Sequence, residues 1–153
     1  AALCKTATGT ATAAGLGRST PMAVQAMNNN DLKMRALRGA TTANANTAAA
    51  MAEAVEELLD ALISSNQLSG DQVLSATFSV TADLDAIFPA SLARRRDGWD
   101  GVALLDCQQM RVQGDLPRCI RVLVQAQMPT TQALHHPYLR EAQRLRPDRS
   151  SHN

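Results

Sequence analysis

Two adjacent stretches with different periodicities restrict this chain more than any other feature. From Thr47 to about Ser65, Met51, Val55, Leu58 and Leu62 recur at helical spacing, flanked by Leu59 and Ile63, and form one apolar stripe. Thr47 offers the side-chain oxygen of an N-cap, and Ser69-Gly70-Asp71 ends the pattern. From Gln72 to Thr81 the period drops to that of a strand: Leu74, Ala76, Phe78 and Val80 alternate with Ser75, Thr77, Ser79 and Thr81. A helix with one apolar stripe needs a surface to lie on, and a strand with one apolar face needs a cover. Together they predict a helix packed on a sheet. Glu53, Glu56, Glu57 and Asp60, on the other side of the helix, read as a solvated face.

The rest of the chain extends this unit. Met34–Gly39 reads as a first strand closed by Arg38, Val102–Leu105 as a third, and Val122–Ala126 as a further strand with Arg121 at its start. Ala133–Glu141 reads as a short helix interrupted by Pro137, and Gln143–Pro147 as a last short strand. The order predicts an α+β (α/β-like) domain: a mixed sheet with one long helix and short helices. A chain of 153 residues is one domain able to bury a core. With only Phe78, Phe88, Trp99 and Tyr138 aromatic, that core rests on Ala, Val, Leu and Ile.

Residues 1–33 differ in kind: Ala, Thr, Gly and Asn dominate, and no acid precedes Asp31. Three readings fit them, namely a flexible tail, a transit peptide, and an upstream extension of a protein starting near Met34. The domain is expected over 34–148, with 149–153 a polar tail.

The usual catalytic parts are absent from the sequence. Gly98-x-x-Gly101 lacks the helix and lysine of a phosphate loop. His135 and His136 are adjacent, about 100° apart on a helix, and no clustered Cys or carboxylate completes a metal set. Structural or capping roles suit both. Cys4, Cys107 and Cys119 form neither a disulfide framework nor a zinc pattern, which suits a reducing compartment. Cys107 and Cys119 are expected to be buried small hydrophobes. Asp83, Asp85 and Asp106 suit caps and turns. A net charge of +1 offers no field for nucleic acid or an anionic membrane, Arg94-Arg95-Arg96 notwithstanding, and no apolar run is long enough to span a bilayer.

What remains is a set of arginines at predicted element ends: Arg38, Arg94, Arg121 and Arg146. A strand arginine is ordinarily the solvated side of a sheet. Guanidinium forks also match carboxylates, so arginines with one phenol and no nucleophile suit a small dicarboxylate. They suit a reaction needing electrostatic stabilisation rather than proton transfer.

Four stretches carry a more specific signal: Arg35–Thr42 (RALRGATT), Ser79–Ala90 (SVTADLDAIFPA), Gly114–Val122 (GDLPRCIRV) and His136–Asp148 (HPYLREAQRLRPD). In order and spacing they resemble the AroH-type monofunctional chorismate mutases over about residues 34–148. The resemblance implies a homotrimer with a barrel-like core and active sites between subunits. The implied reaction is the Claisen rearrangement of chorismate to prephenate in phenylalanine and tyrosine biosynthesis, with no cofactor or metal. It places Arg121 at the ether oxygen and a carboxylate, Arg38 at the enolpyruvyl carboxylate, and Tyr138 nearby. Phe88, Ala90 and Leu145 become apolar walls, and Arg146 helps close the site. Arg94 lies at the cleft mouth, contributed with Phe88 by the adjacent subunit.

Three positions depart from the family. Gln109 stands where Glu is common, as partner of the ring hydroxyl and of the arginine; an amide still accepts from the hydroxyl but supplies no charge to hold Arg121. Asp106 replaces a common Cys, with Cys107 one residue on, and its carboxylate is expected to turn away from a dianion or to use its backbone. Ser91 replaces a common Lys. These departures keep open an alternative, a catalytically weak trimer of the same fold that binds or senses a small acid. The expected location is cytoplasmic, or plastidial if 1–33 is a transit peptide.

Overall fold

The computed structural model describes residues 31–149, so expectations for most of the 1–33 segment and for 150–153 fall outside the described residues. The elements are β1 (Leu32–Thr42), α1 (Ala48–Asn66), β2 (Val73–Val80), α2 (Pro89–Ala93), β3 (Ala103–Gln108) and β4 (Cys119–Pro129), with 3-10 turns at Gly70–Gln72, Arg140–Leu145 and Pro147–Arg149. The strands form one mixed sheet in the order β1-β4-β2-β3. β4 is antiparallel to β1 and β2, and β3 parallel to β2.

Helix α1 begins as expected: Thr47 Oγ1 accepts from the Ala50 amide at 3.2 Å. Its stripe is fully buried at Met51, Val55, Leu58 and Leu62. These side chains meet Leu37, Phe78, Val122 and Val124 in a single core. Gly39 permits this approach, since a Cβ there would sit 3.0 Å from Leu58 Cδ1 and 3.4 Å from Val122 Cγ1. Burying each leucine of the stripe contributes about 2 kcal/mol.

With odd residues of β1 facing α1, alternation turns Met34, Ala36 and Arg38 the other way. Their β4 partners Gln127, Gln125 and Leu123 share that second face. It has no covering layer among the described residues: Met34 is 64%, Leu105 60% and Leu123 41% exposed.

Several segments differ from their sequence reading. The strands are longer, so Arg38 lies within β1 and Arg121 within β4 rather than at their ends. Residues 133–139 form no helix; the segment runs extended, with a single bridge from Tyr138 to Ala40. Pro137 and the pull of the β1 edge both oppose a helix there. Residues 143–147 are not a strand: 143–145 end one 3-10 turn, which buries Ala142, and Pro147 opens the next. Glu53 and Glu57 are not simply solvated: both pair with Arg140, at 2.9 and 2.6 Å. Asp60 pairs with Arg96. Cys119 is buried as expected, but Cys107 is exposed, because it sits on the uncovered face. Among the described residues no helix is long and apolar enough to cross a membrane.

Candidate active site

One register row crosses the sheet through the expected arginine. Tyr138 pairs with Ala40, Ala40 with Arg121, Arg121 with Ser79, and Ser79 with Cys107. Arg38 faces Leu123, so it is the diagonal neighbour of Arg121 on the same face, about 7–8 Å away across an ideal ladder. Sheet register thus sets Arg38, Arg121 and the only tyrosine of the sequence at neighbouring positions.

The Tyr138 segment is held from two sides. The Ala40 amide donates to Pro137 O at 3.0 Å, and the Leu139 amide to Ala40 O at 2.8 Å. At the C-terminal end of α1, the fully buried Asn66 grips the preceding residue: its Nδ2 donates to His135 O at 2.8 Å, and its Oδ1 accepts from the His135 amide at 2.9 Å. His136 Nδ1 accepts from the Arg38 amide at 2.9 Å, the structural role expected of it. Burial, then Arg149, with Arg38 and Arg146 adding to it, holds this imidazole below its ordinary pKa and hence neutral at pH 7.

Arg121 is fixed by a residue the sequence reading passed over. Asp115 follows Gly114, whose φ of 80° makes the turn after β3 possible. Its Oδ1 accepts from the Leu116 amide at 2.8 Å and from Arg121 Nη2 at 3.0 Å. Its Oδ2 lies 3.3 Å from the same nitrogen and also accepts from Gln109 Nε2. The visible signal was the loss of charge at Gln109 beside a Gly-Asp turn; the fold turns that loop back onto β4.

This arrangement leaves two polar atoms buried without a protein partner, the donor Arg121 Nε and the acceptor Gln109 Oε1. Buried polar groups are nearly always satisfied, so two such atoms on residues that share the Asp115 carboxylate stand out. Cys119, two residues before Arg121 on the same face, is raised above its ordinary thiol pKa by burial, with Arg121 pulling it the other way. It is an inert wall rather than a nucleophile.

The remaining expected residues lie elsewhere. Arg146 sits beside Tyr138 and is held above the ordinary arginine value chiefly by Asp148, which it meets at 2.9 Å. Leu145 is half-buried in the same 3-10 segment. Phe88, Ala90, Arg94 and Asp106 cluster at the opposite edge of the sheet, where α2 meets β3. Asp106 points to the α1 face, away from Arg121. It accepts from the Ala90 amide at 3.0 Å, so its carboxylate does turn away as expected. Burial raises its pKa against the opposing Ala90 amide and Arg94.

Some of these groups line separate clefts: about 410 Å³ beside Gln109 and Asp115, about 530 Å³ beside Phe88 and Asp106, and about 580 Å³ beside His136 and Tyr138. Phe88 is 72% exposed although it lines the second of these clefts.

An α+β domain whose open sheet face holds arginines, a phenol and unsatisfied buried polar atoms defines a scaffold for gripping a small anion. The family model for type I chorismate mutases matches residues 34–149. The chain is 37% identical over 121 residues to the chorismate mutase AroH of Bacillus subtilis (strain 168), covering 78% of this chain and 94% of that protein. It is 42% identical over 120 residues to the AroH of Thermus thermophilus, covering 77% and 98%. A chorismate mutase structure from Clostridium thermocellum superposes with a TM-score of 0.66 at 38% identity, covering 71% of this chain and 97% of the other. The chain belongs to the type I chorismate mutase family.

Proposed function

We propose that this protein converts chorismate to prephenate. The observation that carries the reading is Arg121 Nε, a buried donor without a protein partner, on a guanidinium already oriented by Asp115, which also binds the Gln109 amide. The rearrangement breaks the ether C–O bond of chorismate while a new C–C bond forms in the same molecule. No protein group has to take up a proton or an electron pair. What accelerates it is holding the compact conformer and countering the charge that grows on the ether oxygen.

The residues divide that work. Arg121 donates to the ether oxygen and a carboxylate, Arg38 and Tyr138 hold the enolpyruvyl carboxylate, and Gln109 Oε1 accepts from the ring hydroxyl. Arg146 and Leu145 close the C-terminal side. Because the half-buried guanidinium is fixed in advance by Asp115, little reorganisation is needed as charge develops, an effect worth about 3 kcal/mol or more.

Phe88, Ala90 and Arg94 act from the adjacent subunit of a homotrimer. Two observations support this: their cluster lies at the far sheet edge from Arg38 and Tyr138, and the uncovered face carries exposed Met34, Leu105 and Leu123. Three such faces meeting would form a shared core and bring one subunit's Phe88 to the next subunit's Arg121. The sensing alternative drew on Gln109, Asp106 and Ser91; family membership does not favour it, and Asp106 is occupied with α2.

Mixing tests both parts. Arg121→Ala and Arg94→Ala should each be nearly inactive in chorismate consumption on their own. If sites are shared, co-assembly at equal ratio regenerates intact sites at about a quarter of all positions by random pairing. Mixed trimers without recovered turnover would refute the shared site. A wild-type protein inert toward chorismate would refute the activity itself.

A further inference from the structure

We infer that Asp115 is the positioning carboxylate for Arg121, supplying from the loop after β3 the negative charge that Gln109 lacks. The inference rests on the chorismate mutase reading and assigns a role to a residue outside the set expected from the family. At position 109 the family commonly offers a glutamate to hold the arginine; here an amide stands there. An arginine in a half-buried strand position still needs a counter-charge, or desolvation would leave it mobile and poorly aimed.

Asp115 has the geometry for that task. Both of its oxygens lie within 3.3 Å of Arg121 Nη2, and neither approaches Nε within hydrogen-bonding reach. The guanidinium is thus held by one terminal nitrogen, and Nε is left for substrate. The same carboxylate fixes Gln109: accepting from Nε2 assigns the amide orientation and leaves Oε1 as the free acceptor. One carboxylate sets both partners of the reacting region. The loop has further anchors. The Asp115 amide donates to Val112 O at 3.2 Å, the Arg118 amide to Asp83 Oδ2 at 2.8 Å, and Asp115 Oδ1 caps Leu116.

Exchanging charges between the two positions separates a positioning role from a structural one. Asp115→Asn keeps an oxygen for the Leu116 amide and removes the charge; kcat is expected to fall roughly 10-fold or more, by loss of a charge-assisted bond. Gln109→Glu alone sets two carboxylates against each other and is expected to lose a similar factor. The Gln109→Glu/Asp115→Asn double variant carries one carboxylate again, and its kcat should return to within about threefold of wild type, a coupling that independent sites do not show. Asp115→Asn with kcat within about twofold of wild type overturns the inference, since a charge-assisted bond is worth more than that. So does a double variant no faster than Asp115→Asn. Should Asp115→Asn not fold, Gln109→Glu decides: undiminished turnover overturns the inference. Wild-type turnover in the same assay tests the underlying activity separately.

Discussion

Replacing Asn66 with alanine probes how the far end of α1 places Tyr138. Asn66 is fully buried, and its amide makes both long-range bonds to the His135 backbone, at 2.8 and 2.9 Å, besides one to Leu62 O at 2.9 Å. Losing the two long-range bonds, with His135 left partly unsatisfied, costs about 2–3 kcal/mol. For a domain of roughly 120 ordered residues the entropy of unfolding near Tm is about 0.25 kcal/mol/K, so the melting temperature should fall by about 10 °C. The damage should be local before it is global. The Leu139 and Ala40 amides, which tie the segment to β1, should exchange with solvent faster while those of the α1 core do not. Because Tyr138 rides on that segment, KM for chorismate should rise more than kcat falls. A melting shift under about 3 °C, smaller than one lost hydrogen bond implies, or unchanged exchange at Leu139 would refute the assignment.

Two further outcomes follow from the ion pairs and burial. Asp106 has a pKa raised by burial, so the stability linked to it is complete below the unfolded aspartate value of about 3.9 and is lost as pH rises through the folded one. Asp106→Asn should therefore melt higher than wild type at neutral pH, with the gap closing in acid; a pH-independent gap contradicts this. Arg140 joins Glu53, Glu57 and Thr42 O, but the two glutamates are 67% and 45% exposed, so Arg140→Ala should cost only about 1–2 kcal/mol. The urea midpoint at unchanged m-value measures it.

Where local pattern and tertiary contacts agree, the sequence was legible. The stripe from Met51 to Leu62 and the Thr47 cap are properties of neighbouring residues, and α1 appears where they put it. The resemblance names Arg38, Arg121 and Tyr138, and sheet register sets them at neighbouring positions. What stayed hidden depends on partners far along the chain. Residues 133–139 look helical by composition, but Asn66 and Ala40 dictate their path from 69 and about 98 positions away. Glu53 and Glu57 look solvated until Arg140 arrives, more than 80 residues on. Asp115 has the composition of a turn residue, and is one; its second role exists only because the loop folds back beside β4.

In the proposed mechanism a fixed guanidinium at Arg121 stabilises charge on a breaking C–O bond. Its most direct test is single-turnover chorismate consumption by Arg121→Ala beside wild type, with assembly and melting temperature matched. The rate constant should fall by a factor on the order of 100 to 1,000, as when an oxyanion donor is removed from a dry site. A variant that keeps its fold and converts chorismate within a few-fold of the wild-type rate would contradict the account.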